Sequence, residues 1–235
     1  MAIYRVGYQE ELCQATLYNH GCNWTCSICS YKLREGFAPS RFLSTDEVLG
    51  CLSSFRLERL LILGGEPLTC ADLDVMVSEA KSHGAWVKIA HSNASFMPPE
   101  GVDEMGISLR AISKRKHQQL TGASNTKVLG NLYAIRDRGV ELEVSTILIP
   151  EVVDADEIGK IAGFLAEVDE EIPLHVTAFL PVPGITWRGP TDGEMAMAMQ
   201  AARAHLKNVS GSSLGARDYS APSAKDTMQH RGGVY

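Results

Sequence analysis

Arg59-Leu-Leu-Ile-Leu63, running into Gly64-Gly65-Glu66-Pro67, is the stretch that decides the fold. Four apolar residues in a row without polar alternation are the pattern of a parallel strand covered on both faces. Outward in both directions, apolar strand runs alternate with helical periodicity. Upstream, Ser44-Thr45-Asp46-Glu47 is a capping box opening a helix with Val48, Leu49 and Leu52 on one face. Downstream, Leu73, Met76, Val77 and Ala80 recur at helical spacing as far as Gly84.

The same alternation fills most of the chain. Strands are predicted at Cys13 to His20, Trp86 to Ala90, Gly106 to Arg110, Leu142 to Ile149 and Leu174 to Phe179. Helices are predicted from Thr126 to Gly139, from a cap at Asp154-Ala-Asp-Glu157, and from Thr191 with Glu194. Six β–α units in sequence cannot close an eight-stranded barrel, so the expected form is α/β, an open partial (β/α)6 barrel. Residues 1–209 form its core. The segment 210–235, rich in Ser, Gly and Ala and without periodicity, is expected to be a flexible tail or a lid. The site is expected where the strands end at their carboxyl side.

Composition narrows the function. A net charge of −6 over 235 residues argues against a general nucleic-acid or anionic-membrane binder. No run approaches the ~20 apolar residues of a membrane span, and the first residues lack the apolar core of a signal peptide. Six cysteines in such a chain read as reduced thiols of a cytoplasmic protein. Cys13, Cys51 and Cys70 stand singly and read as small buried hydrophobes. The other three do not.

Cys22-Asn-Trp-Thr-Cys26-Ser-Ile-Cys29 places three thiols on one loop after the first strand. Thiolates so spaced can converge on one soft metal centre. Cys13 or His20 could complete a zinc shell, which would make the chain a zinc-binding interaction module. Three ligands alone suit a four-iron cluster that leaves one iron open.

With Gly64-Gly65-Glu66-Pro67 after the next strand, this spacing resembles the radical S-adenosylmethionine (SAM) superfamily. The resemblance implies a four-iron four-sulfur cluster on Cys22, Cys26 and Cys29, whose open iron chelates SAM, and a glycine turn that takes the methionyl amino group. It also implies reductive cleavage of SAM to methionine and a 5′-deoxyadenosyl radical. The electron would come from a flavodoxin- or ferredoxin-like donor.

The middle third is similar to one branch, the pyruvate formate-lyase activating enzymes, which act on glycyl-radical enzymes. Ile107-Ser108-Leu109-Arg110 and His117-Gln-Gln-Leu120-Thr-Gly122-Ala-Ser124-Asn125 stand for its Asp-Leu-Lys and His-x-x-Leu-x-Gly-x-Ser-Asn. The branch implies a protein or peptide substrate. A small-molecule enzyme of the 7-carboxy-7-deazaguanine synthase kind is the alternative. Gly64, Gly65, Glu66, Asn93, Ser108, Arg110 and Ser145 are the residues expected at SAM. Strand alternation turns Ser108, Arg110 and Ser145 inward, and Arg110 stands where the branch has a lysine near the SAM carboxylate. The chain departs from the branch at Ile28, where an aromatic is usual, at His91 and Ser108, which replace acids of a monovalent-cation site, and at Leu180-Pro-Val-Pro183, which lacks a histidine. His175 is expected at the far end of its strand, in a structural role.

Overall fold

The computed structural model describes residues 2–33 and 38–212. The strands are β1 (Ala2–Gln9), β2 (Gln14–His20), β3 (Arg59–Leu63), β4 (Trp86–Ser92), β5 (Glu104–Ser108), β6 (Glu141–Leu148), β7 (Leu174–Ala178) and β8 (Val209–Ser212). The helices are α1 (Thr45–Ser54), α2 (Leu73–Ser82), α3 (Lys114–Thr121), α4 (Thr126–Asp137), α5 (Ala155–Val168) and α6 (Asp192–Arg203). All eight strands form one sheet in chain order. β1 runs antiparallel to β2, and every later pair is parallel. Among the described residues β1 and β8 are its two edges, so the sheet is the open partial barrel expected, with one strand more at each side.

Strand alternation separates the two faces. Leu17, Leu60, Ile62, Val87, Ile89, Met105, Ile107, Val144 and Val176 are buried in the core cluster that the helices cover. The opposite face is polar. Lys88 stands directly across from Glu104 in the β4–β5 register and bonds both Glu104 at 2.6 Å and Glu143 at 2.9 Å. The pairing of one ammonium with two acids holds three neighbouring strands together across the interior.

Most boundaries follow the sequence, and the differences have physical reasons. Cys13 is a left-handed turn residue at φ 46° rather than the start of β2. β5 begins two residues earlier than its apolar run suggests and ends at Ser108, which leaves Leu109 and Arg110 beyond the strand. β1 has no clean period-two pattern because its register slips between Ile3 and Arg5. β8, Val-Ser-Gly-Ser, carries no apolar alternation and is held by backbone pairing to β7. Ser210 to Ser212 therefore belong to the sheet, and the rest of the expected tail lies outside the described residues. No helix among the described residues is long and apolar enough to cross a membrane.

The caps at Ser44 and Thr191 are complete capping boxes. The one at Asp154 is not. Asp154 accepts from the Glu157 amide at 3.0 Å, but the Glu157 carboxylate turns away from the helix end. It is fully buried and accepts from the amides of Ile112 and Ser113 and from the Ser113 hydroxyl at 2.6–2.9 Å, with Lys116 3.3 Å away. Burial alone would raise its pKa; the Ser113 hydrogen bonds and the Lys116 charge outweigh that and hold it below the usual carboxylate value. Glu157 thus ties α5 to the start of α3. Glu157→Leu should destabilise the cluster-free protein by about 2–3 kcal/mol in urea titration, because two buried amides lose their acceptor. A midpoint equal to wild type would show the carboxylate to be dispensable.

Candidate active site at the strand ends

Parallel pairing from β2 to β8 brings the carboxyl ends of seven strands to one rim. The cysteine loop follows β2, the Gly64-Gly65-Glu66 turn follows β3, and the Ser92-Asn93 turn closes β4. These three are locked into one another. A Cβ on Gly64 would lie 2.3 Å from the Asn19 carbonyl oxygen, and one on Gly65 would lie 1.9 Å from that of Gly21. Both glycines also sit at positive φ, +99° and +52°. Backbone crowding within the protein therefore demands glycine at both positions. The Glu66 amide closes the contact, donating to the Gly21 carbonyl at 2.9 Å.

Asn19 completes the junction. It is the last buried position of β2, and its Nδ2 donates to the carbonyls of Gly64 at 3.0 Å, Glu66 at 3.2 Å and Gly21 at 3.3 Å. Glu66 carries the junction on to β4. It is 1% exposed, and its carboxylate accepts from Ser92 Oγ at 2.7 Å, the Asn93 amide at 2.5 Å and the Leu68 amide at 3.1 Å. Burial pushes its pKa up against the pull of these donors. The Glu66 side chain is thus committed to the protein, as is its backbone, whose amide donates to Gly21 and whose carbonyl accepts from Asn19 and Thr69. Asn93 returns to the cysteine loop, donating to Asn23 Oδ1 at 2.9 Å with Cys22 Sγ at 3.9 Å.

Cys22 is exposed, and Cys26 and Cys29 are half-buried. Burial of its sulfur raises the Cys26 pKa to about 11, with Cys22 and Cys29 adding to it and the Arg110 charge opposing it. Cys22 is raised as well, first by desolvation of a sulfur that is sheltered although the residue as a whole is exposed, then by the charges of Glu66 and Cys29. The Cys22 and Cys26 thiols are therefore protonated at neutral pH, and their ligation must expel protons.

The donor set fits a cluster better than a zinc ion. Cys13 precedes β2 while the loop follows it, a separation of roughly 20 Å along the strand. The His20 ring packs between Tyr4 and Phe42. Among the described residues no three Cys, His, Asp or Glu side chains close on one point as a single ion requires. Three thiols beside a backbone cradle remain, the arrangement for a four-iron cluster with one iron left to a ligand.

Other expected residues line the same rim. Ser108 and Ser145 face each other in register, with their hydroxyls 3.5 Å apart. Arg110, just past β5, carries no hydrogen bond or ion pair among the described residues, and its charge is felt by Cys26, Cys29, His91 and His117. His91 is exposed at the end of β4. His175 is not at the far end. It lies opposite Ser145, level with Ser108, and its two ring nitrogens bridge Ser210 at 2.8 Å and Ser212 at 3.2 Å. The short β7 starts beside the upper half of β6, which strand lengths in the sequence do not reveal. Asn19 was also missed, although a polar residue on the apolar face of a strand, just before a cysteine loop, is a signal that could have found it.

Comparison with known proteins agrees with this geometry. The model of the radical SAM superfamily matches residues 17–165. The chain belongs to that superfamily. A Methanocaldococcus jannaschii protein named by inference as a glycyl-radical enzyme activating enzyme is 32% identical over 207 residues, covering 83% of this chain and 79% of its own. A Pyrobaculum aerophilum protein named as a GTP 3′,8-cyclase is 22% identical over 163 residues, 64% of this chain and 52% of its own. Streptococcus suis SuiB bound to its precursor peptide SuiA superposes with a TM-score of 0.62 at 15% identity, over 82% of this chain and 47% of SuiB. The chain thus spans about half of the last two, and the SuiB likeness is one of fold. As a radical SAM protein it is an enzyme, with a four-iron four-sulfur cluster and SAM as cofactors.

The junction makes a sharp prediction. Asn19→Asp turns a donor to three carbonyls into an acceptor against them. It should destabilise the cluster-free protein by about 3 kcal/mol in urea titration. SAM binding by the reconstituted variant, measured at equilibrium, should be lost with it. Wild-type values for both would mean that the turn holds itself.

Proposed function

We propose that this enzyme activates a protein partner: it cleaves SAM reductively and removes a hydrogen atom from a protein or peptide, as glycyl-radical enzyme activating enzymes do. The observation that carries the reading is the 32% identity to a protein of that name over 83% of the chain. The open sheet, whose two edge strands leave a side for a loop to enter, supports it. So does the peptide bound by SuiB, a protein of like fold.

When bound, the cluster and SAM supply one electron's worth of reduction, releasing methionine and a 5′-deoxyadenosyl radical that takes the hydrogen atom. The chain does the holding. Cys22, Cys26 and Cys29 hold the cluster. The turn of Gly64, Gly65 and Glu66 and the Asn93 turn form the cradle for the methionyl end of SAM. Ser108 and Ser145 face it from β5 and β6 and Arg110 from just past β5, and the Arg110 guanidinium is free to take a carboxylate in a bidentate grip. His175, held between Ser210 and Ser212, forms the far wall against the substrate. An exposed Cys22 leaves the loop open to a flavodoxin- or ferredoxin-like electron donor. Six free cysteines fit the reducing cytoplasm.

A small-molecule substrate is the second reading, favoured by the similarity to a GTP 3′,8-cyclase. One experiment separates the two. The reconstituted, reduced enzyme is given SAM and candidate substrates labelled with deuterium, and 5′-deoxyadenosine is analysed by mass. Deuterium from a glycine of a partner protein, with a glycyl radical in its EPR spectrum, is expected. Deuterium from a small metabolite alone would overturn the activase reading. No 5′-deoxyadenosine at all, in a protein that holds its cluster, would overturn SAM cleavage.

Arg110 is tested separately. Arg110→Ala should weaken SAM binding by about 1.5–3 kcal/mol, the loss of a charge-assisted hydrogen bond, while iron content stays at the wild-type level. Arg110→Lys should recover much of it. Unchanged SAM affinity in Arg110→Ala would place the guanidinium outside the pocket.

A further inference from the structure

The cysteine loop has a second support that the SAM-facing junction does not use. Trp24, Thr25 and Ser27, between the cysteines, lean on α3 and its end. Ser27 donates through its amide and its hydroxyl to the Leu120 carbonyl, at 2.8 and 3.2 Å. A Cβ on Gly122, which ends the helix at φ +76°, would lie 3.0 Å from Thr25 Oγ1. The Trp24 ring stands edge-on to the imidazole of His117, with centroids 5.3 Å apart and an interplanar angle of 88°. α3 itself is anchored at its start by Glu157, and Asn125 beyond its end donates to the carbonyls of Ala111 and Ile112 at 3.2 and 2.7 Å. It is a fixed shelf.

His117 is the unusual member of that shelf. It is fully buried, and burial first, then the Arg110 charge, push its pKa down to about 4 against the opposing pull of Glu157. The ring is neutral. Its Nδ1 lies 3.2 Å from the Ala123 carbonyl, which can only accept, and 3.4 Å from the Thr121 hydroxyl, whose own hydrogen goes to the His117 carbonyl at 2.8 Å; this pattern assigns the ring hydrogen to Nδ1 and leaves Nε2 as the acceptor. That Nε2 is buried with no hydrogen-bond partner. A buried acceptor without a donor is costly, and such a group calls for an explanation. The ring packed against it, Trp24, carries an indole N–H with no hydrogen bond among the described residues.

We propose that His117 is a positioning residue for the cluster: its bare Nε2 accepts the Trp24 indole N–H when the loop closes on iron, and this bond fixes the spacing of Cys22 and Cys26. The site is built from three separate observations, the ring contact, the unpartnered buried nitrogen and the docking of Thr25 and Ser27 on the same helix. It depends on the cluster of the superfamily and not on the nature of the substrate, so it stands or falls apart from the activase reading.

The test uses anaerobically reconstituted protein and three variants. His117→Phe keeps a ring but removes the acceptor, Trp24→Phe keeps a ring but removes the donor, and His117→Gln restores an acceptor. The readouts are the chelator concentration that strips half the iron, the reduction potential of the cluster and the change in its EPR spectrum on adding SAM. His117→Phe and Trp24→Phe should each lose iron at about tenfold lower chelator, as when a residue supporting a metal ligand is removed. Both should shift the potential in the same direction, and the double variant should be no worse than either single one. His117→Gln should recover iron retention. Additive losses in the double variant, or wild-type retention and potential in either single one, would overturn the proposal. Should His117→Phe fail to fold, Trp24→Phe decides alone, since its ring still packs and only the N–H is gone.

Discussion

The site depends on one close approach: the backbone after β2 and the backbone after β3 meet with no room for a side chain. Gly64 lies against Asn19 and Gly65 against Gly21, at distances a Cβ atom cannot occupy. Contact this tight between two loops buries carbonyl groups that strand pairing no longer serves. The Asn19 amide supplies them with a donor, three carbonyls at 3.0–3.3 Å. Glu66 then passes the constraint to β4 through Ser92 and Asn93, and Asn93 returns it to Asn23 in the cysteine loop. Three strand ends behave as one rigid piece, and a cluster and its ligand can be held at a constant separation only on such a piece.

The charges around that piece suit anionic groups at the rim. Burial holds the Cys22 and Cys26 thiols as neutral SH, and the Arg110 charge opposes it at Cys26. The same guanidinium has no carboxylate partner among the described residues, although acids are plentiful deeper in the sheet. Glu104 and Glu143 are engaged by Lys88 on the interior face, below the level of Ser108 and Ser145. Pairing the acids with Lys88 leaves Arg110 uncommitted at the rim, where anionic groups of cluster and ligand would meet it.

How much of this was legible depends on what kind of signal each part leaves. β3, α1, α2 and α6 carry full periodicity or complete capping boxes and could be read directly. The three cysteines and the two glycines were legible by spacing, although the reason for the glycines, contact with Asn19 and Gly21, is a tertiary one. α3 left no trace as a helix, because Lys114-Arg-Lys-His-Gln-Gln-Leu-Thr121 has only His117, Leu120 and Thr121 buried and no apolar stripe. β8 is a strand by backbone pairing alone. His175 was misplaced because parallel register is set by the neighbouring strand and not by a residue's own rank in its strand. Sequence patterns report what a residue buries. They are silent on which backbone it reaches.

The two supports of the cysteine loop meet different parts of the barrel. The Asn19–Glu66–Asn93 ring ties the loop to β3 and β4, the side of the glycine turn. The α3 shelf ties it to the segment that leaves β5 through Arg110 and is pinned to α5 by Glu157. Only eleven residues separate Arg110 from Gly122, and Gly122 meets Thr25 of the cysteine loop. Arg110 therefore lies on the same segment as the helix that seats Trp24, Thr25 and Ser27. The rim at Arg110 and the seat of the cysteine loop thus share one segment, which buried hydrogen bonds hold to α5 and to its own start.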